Sequence, residues 1–587
     1  MIPFFAVLLL LAVSGCAVYF GCNRGMASKA RGQQVRRFLI ASVVGALPAG
    51  VGAHLLPLIV ALAWMLTFPL LYHLTHRRSS PDYENYADTA AGIYLAGWLT
   101  ALVLLVQGSV VGQALVGILA FLLLLLPVVQ WVYYALYGTC IDANGMKIVQ
   151  ETHYNEIIEF ARSYSLSAVL LTLLAVVGVL AGCVGAAVLC PVWCGLSLPA
   201  VSLWVDVALG CYVGAVGWYL LKPRHSLMAR TGIVRLWLDI RDYSAGNERY
   251  LAEMERRLQS LQVEPVGQPY DRPHTMLLVI GESASRDYMS AFVEREHDTT
   301  PWMRQLVADE GHTVRFPNAY SCAMHTVQVL EKSLTEMNQY GPKKFYESCS
   351  IVDIAHRLGY RVHWYSNQGH LGAADTPITI VAETSDVAKW TKQELGRVQY
   401  DETLIDFLDE LDATQNNLLV VHLKGSHFNF QNRYPQDQTV WGTPQTQTEV
   451  SSYENSLRYT DGVLHRLFDY CTERLNLQTM VYFSDHATVP DRRRSPNFDG
   501  FGDTRIPLLV WMSDEYQQKH ASRAAALRQN RERYFTNDLI YDLFCGLLDI
   551  RSNRFDEASS LASPLYRYQR EELLTYEGQR HIADDAS

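Results

Sequence analysis

The stretch Thr275-Met-Leu-Leu-Val-Ile-Gly-Glu-Ser283 runs from a series of apolar residues straight into a small, acidic turn. A short, continuous apolar run bounded by turn residues is typical of a strand that is buried on both faces of a sheet. Four more runs of this kind follow along the chain: Arg361–Tyr365, Leu418–Leu423, Thr479–Phe483 and Pro507–Met512. The sequence therefore predicts a buried sheet in the part of the chain that follows Gln268.

Segments of helical character separate these apolar runs. They are Cys349–Leu358, Glu402–Leu411 and Glu449–Leu475. Strands that alternate with helices predict parallel βαβ units with right-handed crossovers. The predicted fold of this part is an α/β sandwich, and the ligand site of such a sheet lies outside the carboxyl ends of its strands.

The first part of the chain is apolar and contains few acids. Before Asp142 the only acidic residues are Asp82, Glu84 and Asp88. The apolar blocks are Ile2–Cys22, Phe38–His73, Ala91–Tyr137, Leu166–Leu189 and Leu198–Leu221. A membrane-spanning helix needs about 20 apolar residues. The second and third blocks are long enough for two helices each, so the sequence predicts about five to seven spans.

Composition and charge narrow the classes of protein that the chain can be. The 587 residues are 49% hydrophobic and only 18% charged, with a net charge of −10. These values exclude a disordered chain, a collagen-like repeat and a small disulfide scaffold. No basic stripe dominates the soluble half, which argues against nucleic-acid binding. The predicted domains are a transmembrane domain over 1–222, an amphipathic linker over 223–267 and a globular domain over 268–587.

Polar clusters follow three of the predicted strands. The first is Gly281-Glu282-Ser283-Ala284-Ser285-Arg286, the second is Lys424-Gly425-Ser426-His427 and the third is Ser484-Asp485-His486. Carboxylate oxygens and imidazole nitrogens are ligands for borderline divalent cations such as zinc. One such cluster is usually an ordinary loop or helix cap. Three clusters at one edge of one sheet predict a metal site.

A fourth polar segment, Ala319–Leu330, contains Thr326 at the point where a helical pattern begins. A hydroxyl at a helix start can be a simple N-cap. The same position also places backbone N–H groups and the helix dipole where they favour an anionic phosphoryl group. A directly bound metal could lower the pKa of the threonine and activate it as a nucleophile. The sequence leaves both roles open.

These residues, in this order, resemble the lipid-dependent phosphoethanolamine transferases of Gram-negative inner membranes, which belong to the alkaline phosphatase/sulfatase superfamily. The resemblance rests on Ile280–Ser283, Thr299-Thr300-Pro301, Thr326 shortly after Cys322, Gly425–His427, Tyr453–Asp461 and Ser484–His486. It implies an N-terminal α-helical multi-span membrane domain followed by an alkaline phosphatase/sulfatase-like α/β sandwich. It also implies a multi-pass protein of the bacterial inner membrane with its catalytic domain in the periplasm.

The resemblance further implies a reaction and a cofactor. The implied nucleophile is Thr326, and one zinc ion is expected at each catalytic site. The implied metal ligands are Glu282, Thr326, Asp485 and His486. The implied reaction moves phosphoethanolamine from phosphatidylethanolamine to a lipopolysaccharide core, lipid A or another periplasmic glycan, through a covalent intermediate on Thr326. The chain is expected to act as a membrane-embedded monomer.

Other residues are implied to bind the substrate. They are His427, His325, His370, Thr152 and Glu156. Thr152 and Glu156 lie one helical turn apart in a loop that is similar to the family's lipid-binding loop, although an amphipathic connecting helix would explain them equally well. A second zinc ion stays open, because Ala487–Gly500 lacks the histidine that many relatives carry there. His325 or His370 could replace it, and His427 could hold either the phosphoryl group or that second metal.

Two other functions remain alternatives. A phosphoglycerol transferase of the same superfamily would use phosphatidylglycerol as its donor. A non-catalytic membrane scaffold would keep the fold without the chemistry. The cysteines of the soluble half are Cys322, Cys349, Cys471 and Cys545. A disulfide between Cys322 and Cys349 could form, but spacing does not decide the pairing.

Overall fold

The computed structural model of the protein describes residues 2–22, 28–76, 85–138, 140–141, 166–194, 203–222, 226–232, 234, 238, 249–369, 376–392, 398–443, 445–492 and 500–586. The chain divides into two compact units, one of residues 1–150 and 160–242 and the other of residues 151–159 and 243–587. Thr152, Glu156 and His370 lie outside the described residues, so their implied roles stay predictions.

The first unit is built from long apolar helices and one small pair of strands. The helices are α1 (Ile2–Cys22), α2 (Ser28–Ala46), α3 (Leu55–His76), α4 (Asn85–Leu105), α5 (Val110–Tyr137), α6 (Leu166–Leu189) and α7 (Leu203–Leu221). The strands are β1 (Gly52–Ala53) and β2 (Trp193–Cys194), and they pair antiparallel. Within the ranges that the structure describes, five helices (α1, α3, α4, α5 and α7) are long and apolar enough to cross a membrane.

Two of the apolar blocks divide in different ways. The block Ala91–Tyr137 contains most of α4 and the whole of α5, and Ser109 caps α5 by accepting a hydrogen bond from the Gly112 N–H over 3.1 Å. The block Phe38–His73 supplies one candidate span, α3, rather than the two that its length allows. The preceding helix α2 carries Arg36 and Arg37, and charged side chains are expensive in the hydrocarbon core of a bilayer.

The second unit is an α/β domain. Its strands are β3 (Val263–Pro265), β4 (Thr275–Gly281), β5 (Thr313–Arg315), β6 (Ala319–Tyr320), β7 (Arg361–Ser366), β8 (Val387–Trp390), β9 (Asn417–His422), β10 (Leu477–Ser484), β11 (Leu508–Met512), β12 (Phe535–Thr536), β13 (Ile550–Ser552), β14 (Leu574–Thr575) and β15 (Arg580–His581). Seven of them form one sheet in the order β5-β11-β10-β4-β9-β7-β8. The other six pair in twos: β3 with β13, β6 with β12 and β14 with β15.

Helices cover this sheet. They are α8 (Met254–Ser260), α9 (Pro301–Ala308), α10 (Thr326–Ser333), α11 (Ile351–Arg357), α12 (Pro377–Glu383), α13 (Glu449–Arg474), α14 (Asp514–Lys519), α15 (Ala521–Gln529) and α16 (Ile540–Leu547). The segment predicted as a helix over Glu402–Leu411 is instead a 3₁₀ helix over Asp401–Glu410. The carboxylate of Asp401 ties the start of this helix to the sheet edge, because it accepts hydrogen bonds from the backbone N–H groups of Lys424 and Gly425.

All five predicted strands are present in the large sheet, but one runs in an unexpected direction. Strands β4, β7, β9 and β10 are parallel to their neighbours within this group, whereas β11 pairs antiparallel with β10. A parallel neighbour needs a crossover connection of a dozen or more residues, usually a helix. The described residues between β10 and β11 contain no α-helix, so the predicted parallel βαβ pattern does not extend to this edge.

The strand that opens the domain is anchored from both sides. Leu278 and Ile280 of β4 pack into one buried apolar cluster, and Leu277 and Val279 pack into another. All four side chains are buried, and burial of one such side chain contributes about 1.5–3 kcal/mol to stability. Successive side chains of a strand point to opposite faces of the sheet. Because both faces are buried here, the residues from Leu277 to Ile280 are all apolar. This packing also fixes the position of the residues that follow.

The cysteines of the second unit are thiols. Cys322 and Cys349 are both buried and free, so the disulfide that the sequence left open is not formed. Cys471 and Cys545 are also buried and free. Burial raises the pKa of Cys471 to about 12. A buried, protonated thiol of this kind behaves as a small apolar side chain.

Candidate active site

The carboxyl ends of three neighbouring strands meet at one edge of the sheet. Ile280 of β4 pairs with His422 of β9, and Gly281 of β4 pairs with Ser484 of β10. The residues that follow these strands therefore emerge side by side. This register is what brings together polar clusters that lie far apart in the sequence.

Glu282, Asp485 and His486 form a buried cluster at this edge. One ligand atom from each residue lies within 4.8 Å of the others. His486 Nε2 is 3.3 Å from Glu282 Oε1 and 3.2 Å from Asp485 Oδ2. Asp485 Oδ2 and His486 Nε2 are buried, and neither has a hydrogen-bond partner of good geometry. Buried polar atoms nearly always have a partner, and a cation between these atoms would supply one.

Neighbouring groups orient the imidazole and the aspartate. His486 Nδ1 is 3.0 Å from the Ala487 carbonyl oxygen, and a proton held there leaves Nε2 with a lone pair for a metal. Asp485 Oδ1 accepts hydrogen bonds from the backbone N–H groups of Ser283 (3.0 Å) and His486 (2.7 Å). Both residues therefore direct their remaining ligand atom towards Glu282.

Glu282 is held by the turn that follows β4. Its Oε1 accepts a hydrogen bond from Ser283 Oγ over 2.6 Å. Ser283 has a φ of 57°, in the left-handed region that a non-glycine residue rarely adopts. Tyr453 stabilises this turn, because its hydroxyl donates to the Ser283 carbonyl and accepts from the Ser285 N–H, both over 2.8 Å. A local backbone strain is thus balanced by a hydroxyl from α13.

The two carboxylates of the cluster influence each other strongly. Burial and the nearby negative charge of Glu282 raise the pKa of Asp485 to about 6. Burial would also raise the pKa of Glu282, but its ionic attraction to His486 and the hydrogen bond from Ser283 outweigh burial and hold that pKa well below the usual value. Two buried carboxylates that cannot both ionise easily are a common arrangement for binding a cation.

Thr326 is the first residue of α10, and its hydroxyl contacts the cluster. Thr326 Oγ1 donates a hydrogen bond to Glu282 Oε2 over 3.0 Å. The preceding residue, His325, occupies the N-cap position, and its side chain makes no capping hydrogen bond. Thr326 is therefore not the N-cap, which removes one of the two roles that the sequence left open.

Asn537 connects the segment that carries Thr326 to the segment that carries Asp485. Its amide Nδ2 donates to the Asp485 carbonyl over 2.6 Å, and its Oδ1 accepts from the Cys322 N–H over 2.9 Å. Ser321 Oγ also donates to the Asp485 carbonyl, over 2.6 Å. The sequence analysis missed Asn537, since it lies in a short 3₁₀ helix at Asn537–Leu539 and no nearby motif marks it.

Two more polar side chains lie beside Glu282: Lys424 belongs to the polar cluster predicted after β9, whereas Gln368 was not predicted. Gln368 Nε2 donates to the Leu423 carbonyl over 2.6 Å and lies 3.4 Å from Glu282 Oε2. Lys424 Nζ lies 3.4 Å from Gln368 Oε1. The signal that could have found Gln368 is its position directly after β7, at the same sheet edge as the predicted ligands.

The two described histidines that the sequence proposed for substrate binding lie near this cluster. His427 is partly buried, and its charge contributes to the low pKa of Glu282 after the larger effects of burial and His486. His325 is partly buried and directly precedes Thr326. Their roles in substrate binding stay predictions.

We expect Gly425→Ala to disturb the site more than a comparable glycine substitution elsewhere. Gly425 has a φ of 49°, and a Cβ there would lie 2.8 Å from the Glu282 carbonyl oxygen and 3.0 Å from its nitrogen. Gly359 has a φ of 79° but open space around the added Cβ, so Gly359→Ala is the matched control. Left-handed strain alone costs roughly 1–2 kcal/mol, and we expect Gly425→Ala to exceed this and to weaken zinc affinity. Chelator competition and thermal unfolding measure both; equal effects of the two substitutions would contradict the prediction.

Fold and site together define a protein with an alkaline phosphatase-like domain and a candidate metal centre at the carboxyl ends of its strands. Residues 274–549 match the model of the Sulfatase family.

Curated relatives extend this assignment. The chain is 26% identical over 321 residues to phosphoethanolamine transferase EptC of Escherichia coli O18:K1:H7, which covers 51% of this chain and 54% of that protein. It is 28% identical over 330 residues to phosphoethanolamine transferase OpgE of Escherichia coli K12, over 52% of this chain and 60% of that protein. The chain thus spans about half the length of the curated relatives it matches. The resemblance seen in the sequence is confirmed, because the chain is a homologue of proteins named phosphoethanolamine transferases.

A solved structure shares the fold along most of the chain. The integral membrane protein lipooligosaccharide phosphoethanolamine transferase A (EptA) from Neisseria meningitidis matches with a TM-score of 0.57 and 17% identity, over 87% of this chain and 98% of that chain. The predicted fold class, a multi-span helical membrane domain followed by an alkaline phosphatase-like domain, is confirmed. The prediction of a multi-pass membrane protein is confirmed by this match and by the apolar helices of the first unit.

Proposed function

We propose that this protein is a metal-dependent phosphoethanolamine transferase. The observation that carries the proposal is the hydrogen bond of 3.0 Å from Thr326 Oγ1 to Glu282 Oε2, which places a hydroxyl on a buried cluster of two carboxylates and one imidazole. The names of the relatives support phosphoethanolamine as the transferred group. We propose that residues 1–222 form a transmembrane domain, residues 223–267 a linker and residues 268–587 a catalytic domain in the periplasm. We also propose that the chain is a monomer.

The donor atoms of the cluster fit zinc. Two carboxylates, one imidazole and the Thr326 hydroxyl make four N and O ligands, which is the coordination number that zinc prefers in proteins. When bound, the ion lowers the pKa of a coordinated hydroxyl and stabilises negative charge on phosphoryl oxygens. Glu282, Asp485 and His486 form the one cluster of this kind among the described residues, and we propose one zinc ion per chain.

The residues of the chain divide the chemistry between them. Thr326 Oγ1 forms a bond to phosphorus while the bond from phosphorus to the diacylglycerol oxygen breaks, and diacylglycerol leaves with a proton. Glu282 Oε2, which accepts the hydrogen bond of Thr326, is placed to receive the threonine proton. The glycan hydroxyl then loses a proton and forms its own bond to phosphorus, and Thr326 is released and reprotonated. This route needs a donor lipid at the membrane surface, which the apolar helices of the first unit provide for.

The remaining predicted residues would bind the substrates. We propose that His427, whose charge affects the pKa of Glu282, and His325, which directly precedes Thr326, contact the transferred group. We keep His370, Thr152 and Glu156 as proposed binding residues for the same substrates. The acceptor is a lipopolysaccharide core, lipid A or another periplasmic glycan, since each offers a hydroxyl for the same second step.

We expect the purified full-length chain to release diacylglycerol from fluorescent phosphatidylethanolamine and not from fluorescent phosphatidylglycerol. The reason is that the transferred group of the relatives carries ethanolamine. Release from phosphatidylglycerol alone would favour the phosphoglycerol transferase. Release from neither lipid, with zinc bound, would favour the non-catalytic scaffold.

Mass spectrometry of surface glycans identifies the acceptor. A strain that lacks the gene should lose one phosphoethanolamine increment from lipid A, from the core oligosaccharide or from another glycan. Restoring the gene should return that increment, and an unchanged glycan profile would contradict the transferase proposal.

A further inference from the structure

A buried lysine lies beside the candidate active site without an assigned role. Lys424 follows the end of β9 and is 8% exposed. Its Nζ is 3.4 Å from Gln368 Oε1, and the Nε2 of the same amide is 3.4 Å from Glu282 Oε2. The ammonium group is therefore two short contacts away from the carboxylate that holds Thr326.

The surroundings fix this lysine in place. Asp401 accepts hydrogen bonds from the backbone N–H groups of Lys424 (2.7 Å) and Gly425 (2.8 Å), and also from Asn367 Nδ2 (2.8 Å). Gln368 is itself held by its hydrogen bond of 2.6 Å to the Leu423 carbonyl. Both the backbone of the lysine and the amide that its side chain contacts are thus anchored. These hydrogen bonds restrict the position of the Lys424 ammonium group at the edge of the sheet.

The lysine supplies positive charge at this strand end. The neighbouring candidate cation, His422, is fully buried. Burial lowers the pKa of His422 to about 4; the negative charge of Glu282 opposes this shift, and the charge of Lys424 adds to it. His422 is consequently neutral near pH 7, whereas Lys424 brings a positive charge to the end of β9.

The charges of the site favour an additional cationic side chain when an anionic substrate binds. Glu282 and Asp485 together carry two negative charges when ionised, and one divalent cation balances them. A phosphodiester brings a further negative charge that this balance does not cover. Opposite charges attract more strongly in a partly buried site than in water, because the effective dielectric constant there is lower. An additional cation within reach of the phosphoryl oxygens would therefore raise affinity substantially.

We propose that Lys424 binds the phosphoryl oxygens of an anionic substrate at this site and that Gln368 holds its ammonium group towards the metal cluster. The class of ligand is a phosphoryl anion; that this anion is a phosphodiester lipid rests on the proposed function. Lys424 thereby supplies the positive charge that a second metal ion would otherwise bring. The role differs from a structural one, because it predicts a loss of anion affinity without a loss of zinc.

The test uses inorganic phosphate as the probe and the purified, zinc-loaded full chain. Isothermal titration calorimetry is expected to show a phosphate Kd at least about tenfold higher for Lys424→Met, which keeps the apolar stem and removes the charge. Lys424→Arg keeps the charge and should stay within a few-fold of wild type. Lys389→Met is the control, since Lys389 pairs with Glu410 at the other end of the sheet order. Wild-type phosphate affinity in Lys424→Met would overturn the proposal.

Two further measurements keep the result interpretable. Zinc content should be unchanged in Lys424→Met. If that variant does not fold, Gln368→Leu replaces it and should raise the phosphate Kd by several-fold. An unchanged phosphate Kd in Gln368→Leu would overturn the proposal. Turnover of phosphatidylethanolamine separates this inference from the proposed function. Phosphate binding that depends on Lys424 without any turnover would contradict the proposed function alone. Turnover with the same KM and kcat in Lys424→Met would contradict the role of the lysine alone.

Discussion

Thr326→Ala is expected to abolish the release of diacylglycerol from phosphatidylethanolamine, with kcat lowered by roughly 10⁴-fold or more, as for other enzymes that lose their nucleophile. The substitution removes the one hydroxyl that donates to Glu282 Oε2 at 3.0 Å. It removes little else, because Thr326 is the first residue of a helix and is not its N-cap. Release of the fluorescent diglyceride from purified enzyme, followed by thin-layer chromatography, measures the effect.

Two variants separate nucleophilic chemistry from helix stability. Thr326→Ser keeps a hydroxyl at the same position and should retain measurable turnover. Thr376 caps α12 by accepting a hydrogen bond from the Thr379 N–H, so Thr376→Ala should cost about 1 kcal/mol of stability while leaving turnover unchanged. Peptide mass spectrometry should find phosphoethanolamine on Thr326 of the wild type when no acceptor is added. Diacylglycerol release by Thr326→Ala at the wild-type rate would show that the nucleophile is another group.

The sequence could predict the centre of the site because two rules act together there. Buried strands appear as apolar runs, and parallel strands end at one edge of their sheet. Glu282 directly follows β4, and Asp485 and His486 directly follow β10, so naming the strands was enough to place all three. Thr326 follows no strand of the large sheet, and it was found through its position at a helix start and the resemblance to a known family.

The groups that support the centre could not be predicted in this way. Asn537, Tyr453 and Gln368 act through hydrogen bonds to residues far along the chain. Such contacts depend on how helices and loops pack over the sheet, and neither periodicity nor spacing encodes them. Lys424 adjoins the predicted Gly425–His427 motif, but nothing in the sequence says that its side chain turns inward.

The direction of β11 and the division of the membrane blocks into helices could not be deduced from the apolar runs for a related reason. An apolar run identifies a strand but not its orientation, which depends on the connection before it. The block Phe38–His73 reads as continuous hydropathy, yet a 3₁₀ turn at Leu47–Gly50 interrupts it before α3 begins. Local breaks of this kind decide how many helices a block supplies.

Glu282→Gln and Asp485→Asn are expected to lose zinc, with a Kd for the metal raised by about 100-fold or more. Each substitution replaces an anionic oxygen ligand with a neutral amide in a cluster where the ligand atoms lie within 4.8 Å of one another. Asp461→Asn is the matched control. Asp461 is also a buried carboxylate, but it accepts hydrogen bonds from the N–H groups of Trp302 and Met303 and takes no part in the cluster. Elemental analysis after dialysis should find zinc in wild type and Asp461→Asn but not in the two ligand variants.

The same cluster predicts that removal of the metal makes the wild type less stable than Asp485→Asn. Without a cation, Asp485 and Glu282 face each other in a buried site, and the repulsion contributes to the raised pKa of Asp485. Chelation should therefore lower the melting temperature of the wild type. Asp485→Asn keeps an oxygen for the Ser283 N–H that Asp485 Oδ1 accepts from and removes the repulsion, so it should melt above the metal-free wild type and below the zinc-loaded one. Differential scanning calorimetry of the three samples decides the matter. If a chelator leaves the wild-type melting temperature unchanged, or if Asp485→Asn melts below the metal-free wild type, the cluster is held by its own hydrogen bonds and not built around a cation.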